Sequence, residues 1–456
     1  MRELLFDGAD RAARYLEGLD SRAVQATLAA IAALEGFEEP LPAQPQEAAA
    51  TLAMLDTLGS PATMANAGGR FFGFVVGGAL PVTLAAQWLA SAWDQNAALH
   101  TAAPAAARIE AVALRWLLSL FGLPATAGGA FVTGATMANL TGLAAARHAV
   151  LRREGWSVEA QGLFGAPPIT VLVGDEVHPT LVKSLGLLGL GRERVVRIPV
   201  DGQGRLRADR LPPLAGPTIV CLQAGNVNTG AFDPFEQIVP AARAAGAWVH
   251  VDGAFGLWAR ASPAHAPLAA GLEAADSWAT DAHKWLNVPY DCGVALVRDG
   301  EALHSAMSVT ADYLPAHSLA RDPSDTTPEL SRRARGVEVW AALRTLGIAG
   351  IAELVERCCR HASRFAEELG AAGFEVLNEV VLNQVLVCFG DDAATQRVVA
   401  ALQADGTCWC GLTRWQGRAA MRISVCSWAT TDEDVTRSLE AMRRVARAVL
   451  RPPPGP

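Results

Sequence analysis

The segment Asp276–Gly293 reads DSWATDAHKWLNVPYDCG and sets one lysine, Lys284, between His283 and Trp285, with the apolar Leu286, Val288 and Pro289 following. A lysine in such surroundings is rarely buried unless its charge is paired or chemically consumed. The run DSWATD ahead of it reads as a short strand. Lys284 therefore falls just past a strand end, where ligands bind in open α/β sheets. Outward from this point the same texture repeats. GAFVTG, ITVLVG, RVVRIPV, TIVCLQAG, AWVHVDGAFG, DSWATD and CGVALVRDG alternate with helix-length segments. That alternation predicts an α/β fold with a mostly parallel seven-stranded sheet.

The flanks differ in texture. Residues up to about Glu47 read as amphipathic helices closed by the Pro-rich EEPLPAQPQ. LPVTLAAQWLASAWDQNAAL and AAARIEAVALRWLLSLFG carry helical apolar periodicity with a break at Pro104. After SRRARGVEVWAALRTLG come a long helix and three further strand-like runs, FEVLNE, QVLVCFG and AAMRISVC. The expected division is an N-terminal helical segment (1–60), a large α/β domain (61–330) and a smaller C-terminal α+β domain (331–456). The terminal RPPPGP reads as a loose tail.

With 456 residues, 51% of them apolar, the chain can bury a large core. Its formal charge of −8 gives no support to nucleic acid or an anionic membrane as a partner. Charges interrupt the apolar runs of the N-terminus, so no signal peptide or membrane anchor is expected there. The close cysteine pairs, Cys358/Cys359 and Cys408/Cys410, lack zinc-ligand spacing, and no metal site is predicted. A reducing, cytoplasmic location is the expectation.

Four strand ends could carry chemistry. FVTGATMANLTGLAAAR is a strand, a small-residue turn and a helix, so the backbone N–H groups of Gly134, Ala135 and Thr136 would face an anion; simple helix capping is the competing reading. His178 follows ITVLVGDEV and, alone, reads more readily as a loop histidine. Asp252 ends a strand so apolar that its carboxylate must be paired or hydrogen-bonded, or else caps a helix. Lys284 is the fourth. One ligand would use all of them: an aromatic cation with a phosphate arm and an aldehyde, which is pyridoxal 5'-phosphate. Condensation of that aldehyde with Lys284 requires a neutral amine, which desolvation beside other cations favours, and it removes the ammonium charge.

DSWATDAHKWLNVPYDCG, with HVDGAFG upstream, resembles the cofactor region of the group II pyridoxal-phosphate decarboxylases, which act on glutamate, tyrosine and aromatic amino acids. The resemblance runs from about Arg70 to Ala446 and includes FFGFVVGGALPVTLAAQWL, GAFDPF, SRRARGVEVWAALRTLG and AMRISVCSW. It implies fold type I and a homodimer with active sites at the subunit boundary. It also implies roles. Lys284 is the imine lysine, Asp252 the partner of the pyridine nitrogen, His178 the histidine on one ring face and Ala254 the small residue on the other. His283 and Thr136 would contact phosphate, with Asp281 beside them, and Arg422 would meet the substrate carboxylate.

The chain departs from the family pattern in three places. Asn226, in CLQAGNVNTGAFDPF, stands where a threonine is usual near cofactor and substrate. LARDPSDTTPELSRR lacks the tyrosine that many aromatic amino acid decarboxylases place there to protonate the carbanion; the chain's tyrosines are Tyr15, Tyr290 and Tyr313. The expected substrate wall offers Val76, Gly77 and Asn96, with little aromatic surface for stacking. The leading expectation is decarboxylation of an L-amino acid to its amine. Decarboxylation-linked oxidative deamination to an aldehyde, carbon–carbon lyase or aldolase chemistry, and a catalytically inactive cofactor-binding protein are the alternatives.

Overall fold

The computed structural model describes residues 1–309 and 321–451. Tyr313 and most of the expected C-terminal tail lie outside them. The seven predicted strands are β1 (Gly128–Val132), β2 (Thr170–Gly174), β3 (Val196–Ile198), β4 (Thr218–Gln223), β5 (Trp248–Asp252), β6 (Ser277–Asp281) and β7 (Gly293–Val297). They form one sheet in the order β1-β7-β6-β5-β4-β2-β3. The neighbours from β3 to β6 run parallel, whereas β7 is antiparallel to both β6 and β1. β5, β6 and β7 are buried along their whole length, as strands covered on both faces must be. The near-continuous apolar run GVALV of β7 is the sequence counterpart of that burial.

The parallel register decides where chemistry can sit. Gln223 at the end of β4 lies opposite Asp252 at the end of β5, and Asp252 lies opposite Ala279, two residues before Asp281 at the end of β6. Two carboxylates thus share one edge of the sheet. The helix Ala135–Arg153, which follows β1 almost at once, packs across β5, β6 and β7. Its buried Leu143, Ala146, Val150 and Leu151 join Val171, Leu181, Ile219 and Trp248 in the main core.

The helix Pro81–Trp93 stops earlier than its periodicity predicts. Asp94 turns left-handed (φ 50, ψ 44), and the helix Pro104–Phe121 begins only after a non-helical stretch. The reason is tertiary. Ala97 donates its N–H to Arg332 O at 2.9 Å and His100 to Asp322 Oδ1 at 2.6 Å, so partners remote in sequence replace helical ones. Arg332, its side chain fully buried, pairs with Glu110 at 2.9 Å and donates to the carbonyls of Ala97 and Phe131.

The chain packs as two compact units: residues 79–360 and 378–384 form one, and residues 1–78, 361–377 and 385–456 form the other. The division at residues 60 and 330 remains a proposal about folding units. The second unit carries a four-stranded sheet of β8 (Glu375–Val376), β9 (Gln384–Cys388), β10 (Gly411–Trp415) and β11 (Arg418–Ser424), ordered β10-β11-β9-β8. The sequence reading named three strands here and missed β10. That edge strand reads GLTRW and exposes Leu412 and Arg414, so it offers no apolar run. Within this unit the buried Arg70 bonds Asp434 at 3.1 Å, and the carbonyls of Thr407 and Asp20. No described helix is long and apolar enough to cross a membrane.

Candidate active site

Lys284 lies three residues beyond β6, and its Nζ sits 2.9 Å from Asp281 Oδ2. The ammonium is therefore paired with the carboxylate that ends the strand. Asp281 is almost fully buried, and its other oxygen accepts the N–H of Ala135 at 2.6 Å. The first turn of the helix Ala135–Arg153 thus faces the Asp281 carboxylate, where the sequence suggested a bound phosphate. His283 accepts the N–H of Cys292 at Nδ1 (3.2 Å), which leaves the proton on Nε2, 3.6 Å from Asp281 Oδ2. Burial pushes the His283 imidazole toward its neutral form, and Asp281 opposes the shift.

The chain reversal that carries this group is tight. Gly293 opens β7 directly against Gly134: a Cβ there would lie 2.5 Å from the Cα and 2.7 Å from the O of Gly134. Only a residue without a side chain allows β7 to pass the turn that starts the helix.

Asp252 is 6% exposed at the end of β5. Its carboxylate accepts the N–H of Ala254 at 3.2 Å and the side-chain amide of Asn139 at 3.1 Å. Behind Asn139 stands His250, with Nε2 2.8 Å from Asn139 Oδ1 and Nδ1 2.8 Å from Ser277 Oγ. Trp248 donates to that same Ser277 oxygen at 2.9 Å. The sequence reading missed Asn139 and His250. The available signal was the strand alternation in WVHVD, which sends His250 and Asp252 to one face.

His178 caps the helix Pro179–Leu187. Its Nδ1 accepts the N–H of Thr180 and lies 2.6 Å from the Thr180 hydroxyl, which fixes the ring. Asn226 is buried. Its Oδ1 accepts the N–H groups of Asn228 and Thr229, and its amide reaches Glu176 O at 3.5 Å, so it ties the loop after β4 to the segment leading into His178. Ala254 accepts the N–H of Asp281 at 2.9 Å. The Thr136 carbonyl accepts from Ser184, joining the two helices that follow β1 and β2. Asn96 is exposed, and its Oδ1 holds the N–H of Arg332 at 3.0 Å.

Val76, Gly77 and Arg422 belong to the other compact unit. Gly77 is buried and Val76 half-buried. Arg422 lies on β11 opposite Gly411, and burial pushes its guanidinium below the usual arginine range.

The donor set fits pyridoxal phosphate. Asp252 supplies a buried, acceptor-only carboxylate for a ring N–H, and Lys284 supplies an amine. Thr136 and His283 Nε2 would supply donors for a phosphate, the Ala135 N–H being engaged by Asp281.

Comparison with known proteins agrees. Residues 48–390 match the pyridoxal-dependent decarboxylase conserved domain. L-2,4-diaminobutyrate decarboxylase of Rhizobium meliloti is 30% identical over 387 residues, covering 80% of this chain and 75% of that one. Tryptophan decarboxylase 1 of Oryza sativa subsp. japonica is 28% identical over 421 residues, covering 84% and 81%. The crystal structure of Oryza sativa TDC with PLP and tryptamine superposes with a TM-score of 0.91 at 25% identity, over 99% of this chain and 98% of that one.

Proposed function

This chain belongs to the pyridoxal-dependent decarboxylase family, is a pyridoxal-phosphate enzyme, and from that premise we propose that it converts an L-amino acid to the corresponding amine and carbon dioxide, with Lys284 as the cofactor-bearing amine. The observation that carries the reading is the shared edge of β5 and β6, where Asp252 and the Asp281–Lys284 pair stand on neighbouring parallel strands. When bound, the cofactor supplies an electron-withdrawing ring that accepts the electron pair left as carbon dioxide departs. The remaining steps belong to the protein.

Asp281 holds the Lys284 amine in place through the 2.9 Å contact at Oδ2; the neighbour found is an anion, not the cations expected from the sequence. Thr136, the backbone of Gly134, and His283 would hold the phosphate, the Ala135 N–H being already engaged by Asp281. Asp252, held from behind by Asn139, would partner the ring nitrogen. As the family resemblance implies, His178 and Ala254 would flank the ring, with Asn226 near it. By the same resemblance, Arg422 would meet the substrate carboxylate, and Val76, Gly77 and Asn96 would be substrate-wall residues. The active sites complete themselves at the boundary of a homodimer. With glycine and asparagine where an aromatic decarboxylase would stack, this wall favours an aliphatic or polar substrate.

A second reading is aldehyde formation, supported by the lack of any tyrosine between Arg321 and Arg335. The named relatives act on tryptophan and L-2,4-diaminobutyrate, so a panel should include both classes together with acidic amino acids. Carbon dioxide and amine in equal amounts support the proposal. Aldehyde with ammonia and peroxide supports the second reading. No turnover of any amino acid by cofactor-loaded protein would overturn both.

A further inference from the structure

Behind Asp252 lies a polar chain of which the steps above use only Asn139. Asn139, His250 and Ser277 are fully buried, and Trp248 is 2% exposed. In such a place every proton has a forced position. An ionised Asp252 only accepts, so Asn139 must present its amide N–H to Oδ2 and its carbonyl oxygen to His250. His250 must then carry its proton on Nε2 and leave Nδ1 as an acceptor for the Ser277 hydroxyl. Ser277 in turn accepts the Trp248 indole N–H. A turned Asn139 amide would set oxygen against carboxylate and N–H against N–H. His250 prevents that turn.

Packing pins the histidine as well. A Cβ on Gly142, one turn along the helix from Asn139, would meet His250 Cε1 at 2.9 Å and Nδ1 at 3.0 Å. The bare glycine lets the helix seat the ring. Burial also pushes the His250 imidazole down to about 3, so it stays neutral and adds no charge beside the carboxylate.

Resting on the reading of Asp252 as the partner of the ring nitrogen, we infer that His250 and Asn139 are positioning residues that hold Asp252 as a carboxylate, and so keep the shared proton on the cofactor ring. Two N–H donors on the carboxylate stabilise its ionised form, and removing one lets the proton settle on Asp252 instead. The ring would then lose its pull on electrons while its fit in the pocket stayed much the same.

The test loads the enzyme with pyridoxal phosphate labelled with nitrogen-15 in the ring and reads the nitrogen shift by solid-state NMR, beside kcat and KM. Wild type should show a protonated ring nitrogen. His250→Phe and Asn139→Leu should move the shift toward neutral pyridine and lower kcat roughly 10- to 100-fold with KM little changed. His250→Gln, which keeps an N–H donor, should restore much of both. If those two fail to fold, Gly142→Ala, whose methyl displaces the ring, should move the shift in the same direction. A shift unchanged in every variant that retains cofactor overturns the inference. An unprotonated ring in wild type, or no change in Asp252→Ala, overturns instead the assignment of Asp252 on which it rests.

Discussion

Replacing His250 by glutamine removes the titratable group from the buried chain while leaving an amide to bridge Ser277 and Asn139. The imidazole is fully buried, and burial lowers it from an ordinary 6.5 to about 3. A histidine lowered on folding binds its proton more readily in the unfolded chain. Its contribution to stability is therefore complete above pH 6.5 and is lost progressively as pH falls toward 3. At about pH 4.5, two units below the unfolded value, the loss is roughly 3 kcal/mol at 1.36 kcal/mol per unit. Against a typical total of about 5–15 kcal/mol, that is easily measured. Urea unfolding of wild type and His250→Gln, run side by side at about pH 7.5 and 4.5, cancels the other titrating groups. The stability gap should move by roughly 3 kcal/mol in favour of the variant at the lower pH. An identical gap at both would mean that His250 is hydrated or already charged, and the assignment of its protons would fail.

Three further outcomes follow from single contacts. Glu110→Ala strands the buried Arg332 guanidinium and should cost about 3–5 kcal/mol in urea unfolding; a loss below about 1 kcal/mol would show that the charge is otherwise compensated. Gly293→Ala puts a methyl onto the Gly134 backbone and should weaken pyridoxal phosphate binding roughly 10-fold or more, read by equilibrium dialysis, whereas unchanged affinity would contradict the close passage of β7. Arg422→Ala should raise KM with little change in kcat; unaltered kinetics would remove Arg422 from the substrate site.

What the sequence discloses follows the physics of burial. Strands of the large sheet such as β4 and β7 are legible because strands covered on both faces become near-continuous apolar runs, as in TIVCL and GVALV. β10 has one exposed face and a tight turn into β11, so its five residues leave no such trace. The early stop at Asp94 is invisible locally because the groups that end the helix, Arg332 and Asp322, lie more than two hundred residues away. In the site, the Asp281–Lys284 pair was within reach, since three residues across a turn separate the charges. The Asn139–His250 chain was not. A histidine inside a strand and an asparagine inside a helix each look like ordinary core residues until the helix is laid on the sheet.

The central claim concerns one nitrogen atom. Cofactor-saturated enzyme should be treated with borohydride, digested and mapped by mass spectrometry. The account predicts a pyridoxyl group on the peptide containing Lys284 and its loss in Lys284→Ala. A pyridoxyl group on Lys183 in its place, or on no lysine at all, would contradict it.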